Sequence, residues 1–162
     1  MKIGVIADTH IPDRAKDIPQ KVLEAFKQMD MVIHAGDLVD IKVIDELKKV
    51  CKNVKAVCGN MDPDDIRKTL PEKTIIKAGA FKIGVMHGYG SPSNLIEILG
   101  GAFKQDKVDI IIFGHSHVPL SKKVGKIIFF NPGSATDRMF SPYNSYGVIQ
   151  LNEKIKTRIV KI

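Results

Sequence analysis

The 162-residue sequence has few of the features that mark secreted or membrane proteins. Its two cysteines, Cys51 and Cys58, form neither a CxxC pair nor a disulfide framework. One disulfide bond between them is the alternative, but we favour two reduced thiols in a cytosol. No apolar run approaches the roughly 18 residues of a membrane-spanning helix. Because the apolar start of the chain ends at Asp8 without a small-residue cleavage site, we expect no signal peptide and a cytoplasmic protein that enters no membrane.

Signatures of nucleotide and nucleic-acid binding are also missing. Neither a Walker A motif nor a GxGxxG motif occurs. Aromatic residues make up only 6% of the chain, and no segment mixes basic with aromatic residues as single-strand-binding proteins do. The formal net charge of +7 suits a phosphate-bearing partner and keeps a nucleic-acid-binding protein as a rival hypothesis. We nevertheless expect no nucleic-acid partner.

The chain length and the apolar pattern predict a single α/β domain over residues 1–162. Hydrophobic residues make up 44% and charged residues 27%, as in ordinary globular domains. In the first part of the chain, buried strands alternate with amphipathic helices, which predicts parallel strands with right-handed crossovers. The strands are expected at 2–7, 31–35 and 54–58, and the helices at 20–29 and 41–50.

The remainder of the chain predicts more strands around one helix. We expect that helix over 92–104 with Ser91 as its N-cap, because Pro92 suits the first helical position. The last three strands alternate apolar and polar residues, which predicts antiparallel pairing with one solvated face. Together the elements predict a mixed α/β sandwich with two sheets in the middle and helices outside. The strands are expected at 74–79, 81–87, 108–114, 125–131, 146–151 and 154–162.

Polar residues interrupt the apolar pattern at the ends of five predicted strands. In a parallel sheet the strand ends on one side form a common rim, so residues distant in sequence can meet there. Seven of these residues offer carboxylate, amide or imidazole donors and none offers a thiolate, which favours Mn²⁺, Fe, Zn²⁺, Co²⁺ or Ni²⁺ over Mg²⁺ and Ca²⁺. The seven candidate metal ligands are Asp8, His10, Asp37, Asn60, His87, His115 and His117.

This number of ligands predicts two divalent metal ions rather than one. A carboxylate such as that of Asp37 can be shared, because it has two oxygens. The charges of two divalent ions exceed those of Asp8, Asp37 and a bridging hydroxide, so the centre would stay positive. A positive dinuclear centre attracts an anion, and a phosphate ester is the natural candidate.

In order and spacing these residues resemble the motifs of the calcineurin-like metallophosphoesterases, D-x-H, G-D-x-x-D, G-N-H-[D/E], H and G-H-x-H. The chain length is similar to that of the small prokaryotic phosphodiesterase branch, which is related to the retromer sorting subunit of eukaryotes. The matching segments are Asp8-Thr9-His10, Gly36-Asp37-Leu38-Val39-Asp40, Gly59-Asn60-Met61-Asp62, His87 and Gly114-His115-Ser116-His117.

The resemblance implies a four-layer α-β-β-α sandwich with a dinuclear site that hydrolyses phosphate esters. A bridging hydroxide would be the nucleophile, Mn²⁺ is the first choice of metal, and no side chain is assigned as a catalyst. The first ligand set, for one ion, would be Asp8, His10, Asp37 and His117. The second ligand set, for the other ion, would be Asp37, Asn60, His87 and His115.

One residue departs from the family pattern. Met61 stands where the family has a histidine that assists the leaving group, and a thioether has no proton to donate. We therefore expect phosphodiesters or activated esters as substrates. The alternative is a catalytically weak metal-binding scaffold for protein partners, and the presence of all seven ligands argues against it.

The neighbouring polar residues have simpler interpretations. We expect Asp40 and Asp62 to cap helices. His34 is expected to be packed, or to support a ligand, rather than to bind metal. Asn131 and Ser134 lie in a turn that could contact the ligand shell. The lysine-rich strands at the end of the chain favour solvated edges but leave a homo-oligomer open.

Overall fold

The computed structural model describes residues 1–162 as a series of ten strands and four helices. A 3₁₀ turn, Pro92–Asn94, leads into the last helix. In chain order the elements are β1 (Lys2–Ile6), α1 (Gln20–Phe26), β2 (Met31–His34), α2 (Lys42–Val50), β3 (Val54–Ala56), α3 (Asp64–Thr69), β4 (Lys73–Ala78), β5 (Phe81–Met86), α4 (Leu95–Ala102), β6 (Ile110–Ile112), β7 (Leu120–Val124), β8 (Ile127–Asn131), β9 (Ser145–Leu151) and β10 (Ile155–Lys161).

The first sheet has the strand order β10-β9-β1-β2-β3. Strands β1, β2 and β3 are parallel and are connected by α1 and α2, as the sequence predicted. The β9–β10 hairpin adds to the other side of β1 in antiparallel orientation. The sheet is therefore mixed, and its three parallel strands end at the same rim.

The second sheet has the strand order β4-β5-β6-β8-β7. Its three inner strands, β5, β6 and β8, are parallel to their neighbours within this group. The outer strands β4 and β7 each pair in antiparallel orientation. The loops that follow β5 and β6 lie at the rim that also receives the loops of the first sheet, because Gly36 and Gly114 both lie against His87.

The prediction of three antiparallel strands at the end of the chain is wrong for the first of them. Strand β8 belongs to the second sheet and pairs in parallel with β6. Its antiparallel partner β7, the segment LSKKV, was not predicted because four of its five side chains are exposed and two are lysines, as is common on an edge strand. Helix α3 was predicted only through the expected cap at Asp62, and its extent was not, since only Ile66 of its six residues is buried.

The start of the predicted helix 92–104 also differs from the expectation. The chain first makes the 3₁₀ turn, and Ser91 makes no side-chain cap to the helix. The Ser91 hydroxyl instead lies 2.8 Å from the hydroxyl of Ser93, which competes with capping of the backbone amides.

The apolar side chains form three layers of core between four layers of secondary structure. Residues of both sheets, among them Val5 and Ile112, pack together in the middle. Helices α1 and α2 cover the outer face of the first sheet, where Phe26 and Leu47 are completely buried. Helix α4 covers the outer face of the second sheet through residues such as Leu99. The expected α-β-β-α sandwich follows from these contacts.

Two smaller observations complete the fold. No helix combines the length and apolar character that crossing a bilayer requires. Cys51 and Cys58 are both buried free thiols, so the structure has no disulfide bond between them.

Candidate metal centre

Hydrogen bonds between loops bring the predicted ligands to one place on the rim. The amide of Asp8 after β1 donates to the carbonyl of Gly36 after β2, at 3.1 Å. The amide of Gly114 after β6 donates to the carbonyl of His87 after β5, at 3.1 Å. The amide of His115 then donates to Asp8 Oδ1 at 3.0 Å, which joins loops of the two sheets. Residues from distant parts of the sequence therefore share one rigid frame.

The first ligand set forms a compact buried cluster. Its four residues place one possible ligand atom each within 4.8 Å of one another. His10 Nε2 lies 3.2 Å from His117 Nε2 and 3.5 Å from Asp37 Oδ2. His117 Nε2 lies 3.5 Å from Asp8 Oδ1. Imidazole nitrogens and carboxylate oxygens that converge in this way form a set of donors suited to a divalent transition metal.

His87 of the second ligand set lies against the same cluster. Its Nε2 is 3.2 Å from Asp37 Oδ2 and 3.8 Å from Asp8 Oδ1. Its Nδ1 lies 2.7 Å from the carbonyl of Ala35, which makes Nδ1 the donor and turns Nε2 towards the cluster. His87 Nε2 and Asp8 Oδ2 are buried without a hydrogen-bond partner. Buried polar atoms rarely lack a hydrogen-bond partner, so these two atoms, at the carboxylates of Asp8 and Asp37, fit a site for a bound cation.

The charges of the cluster also favour a cation. Burial raises the pKa of Asp8, and the adjacent histidines offset only part of that effect. For Asp37, burial acts in the same direction, but its contacts with His87 and the amide of Met61 lower the pKa below its usual value. Burial lowers the pKa of His87, yet Asp37 and Asp8 overcome it and raise that pKa to about 9. The two carboxylates thus attract a positive charge to the position between them.

Asn60 and His115 lie at the open side of the centre. His115 Nδ1 is 2.8 Å from Asn60 Oδ1, and His115 Nε2 is 2.8 Å from the carbonyl of Gly90. Both residues line a cavity of about 570 Å³ together with His10, Asp37 and His117. The structure therefore places five of the seven predicted ligands on one cavity, with Asp8 and His87 buried beside them.

The backbone at the centre adopts an unusual conformation. Asp8, His10, Asp37, His115 and His117 all have positive φ angles, between 43° and 67°. Left-handed backbone at a residue with a side chain costs on the order of 1–3 kcal/mol and is found where function requires it. Five such residues in one cluster indicate that the loops are held for the position of their side chains rather than for stability.

Gly114 is required by the close approach of the two sheets. A Cβ atom at this position would lie 2.8 Å from Asp8 Oδ2, 3.0 Å from His87 Nδ1 and 3.1 Å from the Cβ of Ala7. The first distance is shorter than Cβ atoms show in real structures, so a larger residue would push against the Asp8 carboxylate.

Asp137 is the important residue that sequence reasoning missed. Its Oδ2 accepts a hydrogen bond from His117 Nδ1 at 2.5 Å, which leaves His117 Nε2 facing the cluster. The amides of Met139 and Phe140 also donate to this carboxylate, at 2.9 and 3.1 Å. Burial would raise the pKa of Asp137, but these hydrogen bonds lower it. The only signal in the sequence was its position six residues after Asn131, in the turn already suspected of approaching the site.

The prediction that Asp62 caps α3 is wrong. The N-cap of α3 is Pro63, and no side chain caps this helix. The buried carboxylate of Asp62 points the other way and accepts hydrogen bonds from the amides of Gly59 at 2.7 Å, Asp37 at 3.1 Å and Val39 at 2.7 Å. Three buried amides are stronger partners than a solvated helix end, so Asp62 ties the loops after β2 and β3 together.

Asp40 behaves much as predicted. Its Oδ1 accepts a hydrogen bond from the amide of Lys42, at 2.8 Å, where α2 begins. Its side chain also lies 3.7 Å from the Lys42 ammonium, away from the metal cluster. Asp40 therefore stabilises a helix end, although the formal N-cap residue is Ile41.

His34 is a packed histidine, as predicted. Its Nδ1 accepts a hydrogen bond from the amide of Gly36 at 3.2 Å, so Nε2 carries the proton and donates to the Thr9 hydroxyl at 3.0 Å. Burial lowers its pKa to about 3, which keeps the ring neutral. His34 thus supports the loops that carry Asp8 and Asp37 without contacting the cluster.

The turn after β8 supports the ligands through their backbone. The Ser134 hydroxyl donates to the carbonyl of Asp8 at 2.7 Å. Asn131 Nδ2 donates to the carbonyl of Gly114 at 2.8 Å. Both residues hold loops that carry predicted ligands.

Comparison with known proteins agrees with this geometry. The model of the calcineurin-like phosphoesterase superfamily domain matches residues 1–154. A probable metallophosphoesterase of Methanocaldococcus jannaschii is 38% identical and covers 100% of this chain and 82% of its own. A phosphodiesterase of the same organism is 31% identical over 82% of this chain and 83% of its own. The crystal structure of Vps29 from Entamoeba histolytica complexed with Zn²⁺ has a TM-score of 0.78 and 31% identity over 99% of both chains. The ordered ligand motifs, the sandwich and these matches together place the chain in the calcineurin-like phosphoesterase superfamily.

Proposed function

We propose that this protein is a divalent-metal-dependent phosphoesterase that hydrolyses phosphodiesters at a centre of two metal ions. The observation that carries the proposal is the buried cluster of Asp8, His10, Asp37 and His117, with His87 against it. Two of its polar atoms, Asp8 Oδ2 and His87 Nε2, have no hydrogen-bond partner within the protein. If this buried cluster had no function, apolar side chains in its place would make the protein more stable.

The position of Asp37 supports a shared ligand. Its Oδ2 lies 3.5 Å from His10 Nε2 of the first ligand set and 3.2 Å from His87 Nε2 of the second. Its Oδ1 accepts a hydrogen bond from the amide of Met61 at 2.7 Å, which fixes the orientation of the carboxylate. When bound, two divalent ions would lower the pKa of a shared water and balance the charge that develops on the phosphate.

The protein itself contributes the orientation of the ligands. Asp137 holds His117 by its Nδ1, Ala35 holds His87 by its Nδ1, and both rings therefore present Nε2. Partners of this kind fix the tautomer and the direction of a ligating histidine. The oxygen and nitrogen donors favour Mn²⁺ first, with Ni²⁺, Fe, Zn²⁺ and Co²⁺ as alternatives.

Met61 supports phosphodiesters as the substrate class. Its side chain is 58% exposed and lines the cavity beside Asn60 and His115. A thioether at this position gives the leaving group no proton, so leaving groups of low pKa are favoured. Activated phosphodiesters fit this requirement better than alkyl monoesters.

The test begins with protein stripped by a chelator. Hydrolysis of bis(p-nitrophenyl) phosphate is measured after addition of Mn²⁺, Ni²⁺, Co²⁺, Zn²⁺ or Fe²⁺, and metal content is determined in parallel. We expect recovery with at least one metal and a content near two ions per chain. Asp37→Asn should abolish turnover, whereas the matched control Asp40→Asn, three positions away, should retain it. Failure of every metal to restore hydrolysis would reject the proposal.

The second candidate is a metal-binding scaffold for protein partners. It is favoured by the similarity to Vps29 structures and by the exposure of Met61, Tyr89, Met139 and Phe140. Its distinguishing result would be stoichiometric metal binding with no hydrolysis of any phosphate ester.

A further inference from the structure

A second cavity lies next to the metal centre. Its volume is about 810 Å³, and it shares two lining residues, Asp13 and Arg14, with the cavity that contains the ligands. The loop before α1 and the loop between β8 and β9 form most of its walls. A molecule bound at the metal centre can therefore extend past Arg14 into this second cavity, which we call the basic pocket.

The basic pocket carries unpaired positive charge. Arg14, Lys21 and Arg138 line it, all three are exposed, and none forms an ion pair within the chain. Asp137, which also lines it, is buried with its carboxylate engaged by His117 and two amides. The three cations outnumber the two carboxylates of the lining, Asp13 and Asp137.

A series of contacts joins the basic pocket to the ligands. The ring of Phe140 lies edge-on to that of His117, with centroids 5.9 Å apart. The guanidinium of Arg14 lies 5.7 Å from the centroid of the Phe140 ring, and its Nη1 lies 3.9 Å from the sulfur of Met139. Because Asp137 binds the amides of Met139 and Phe140, the same carboxylate positions both a metal ligand and the wall of the pocket.

We infer that the substrate is a phosphodiester that carries a second anionic group, bound in the basic pocket by Arg14, Lys21 and Arg138. This inference rests on the proposed function, because it places the scissile phosphate at the metal centre. A terminal phosphate fits the pocket, since guanidinium and ammonium groups bind phosphate oxygens through charge-assisted hydrogen bonds. The exposed ring of Phe140 beside Arg14 offers a flat surface to the organic part between the two phosphates. A nucleoside with one esterified phosphate and one free phosphate has this combination of groups.

The test compares substrates that differ only in the terminal phosphate. The metal-loaded protein is assayed with thymidine 5′-(p-nitrophenyl phosphate), whose leaving group has a low pKa, and with the 3′-phosphorylated form of the same ester. We expect kcat/KM for the 3′-phosphorylated form to exceed that for the form without the 3′-phosphate by about tenfold, and Lys21→Ala or Arg138→Ala to reduce this ratio by about fivefold. The matched control Lys126→Ala, an exposed lysine outside the pocket, should leave the ratio unchanged.

The outcomes separate this inference from the proposed function. Equal kcat/KM values for the two substrates, or a ratio insensitive to Lys21→Ala and Arg138→Ala, overturn the inference while phosphodiester hydrolysis stands. If no substrate is hydrolysed, the proposed function fails. In that case, the affinities for thymidine 3′,5′-bisphosphate and thymidine 5′-monophosphate test whether the basic pocket binds a second phosphate. Tighter binding of the bisphosphate, lost in Lys21→Ala, supports the pocket. Equal binding of the two compounds overturns it.

Discussion

Replacement of Asp137 by asparagine tests the role of the residue that sequence reasoning missed. In the structure, three N–H donors converge on this buried carboxylate, from His117 Nδ1 and from the amides of Met139 and Phe140. Asparagine has nearly the same shape but only one acceptor oxygen, so its NH₂ group must face at least one of these donors. The variant therefore loses the charge next to His117 and at least one hydrogen bond.

The magnitude follows from the position of the carboxylate behind His117, a proposed metal ligand. Loss of such a partner lowers metal affinity by about 10- to 100-fold, which corresponds to about 1.4–2.7 kcal/mol. A buried donor without a partner lowers the free energy of unfolding by a further 1–3 kcal/mol or so. We expect Asp137→Asn to bind metal more weakly and to unfold at a lower temperature.

The assay is competition for Mn²⁺ between the protein and a chelator, with thermal unfolding recorded on the same samples. Asp17→Asn serves as the control, because Asp17 is an exposed carboxylate without a hydrogen-bond partner in the structure. A folded Asp137→Asn protein whose Mn²⁺ affinity stays within about twofold of the wild type would refute the reasoning.

Three further predictions concern neighbouring residues. Gly114→Ala should fold but lose most metal binding, because its Cβ would lie 2.8 Å from Asp8 Oδ2; unchanged metal content would contradict this. Met61→His should raise kcat for an alkyl phosphodiester by at least about tenfold, because the missing proton donor slows the departure of poor leaving groups. The same substitution should raise kcat for bis(p-nitrophenyl) phosphate much less. For His34, the folded pKa of about 3 lies below the unfolded value of 6.5, so the unfolded chain binds the proton first and stability falls as the pH drops below about 6.5. Between pH 7 and pH 5 this costs about 2 kcal/mol, and denaturant unfolding in the presence of chelator should find that loss in the wild type but not in His34→Gln.

The sequence predicted the first sheet better than the second. The apolar strands β1, β2 and β3 and the helices between them have clear periodicity, since their side chains are buried on one or both faces. Strand β7 and helix α3 lack that signal, because most of their side chains are exposed. The pairing of β8 with β6 also depends on tertiary contacts, which no local sequence pattern predicts.

The candidate ligands were predictable because chemistry limits which residues can follow a buried strand. A carboxylate, imidazole or amide at a strand end is costly to bury without a partner, so seven such residues in motif order indicated a shared site. Which groups the supporting side chains bind was not predictable. Asp62 and Asp40 both precede a helix in the sequence, yet Asp40 binds an amide at the start of its helix and Asp62 binds the amides of two loops.

The sequence alone determined the alternation of strands and helices and the identity of the donors, because these depend on local periodicity and on side-chain chemistry. Only the tertiary structure decided that Asp137 holds His117 and that Arg14, Lys21 and Arg138 line one pocket. Those pairings join residues as much as 124 positions apart, from Arg14 to Arg138, and a hydrogen bond or a pocket depends on distances of a few ångströms that only the packed sheets can set.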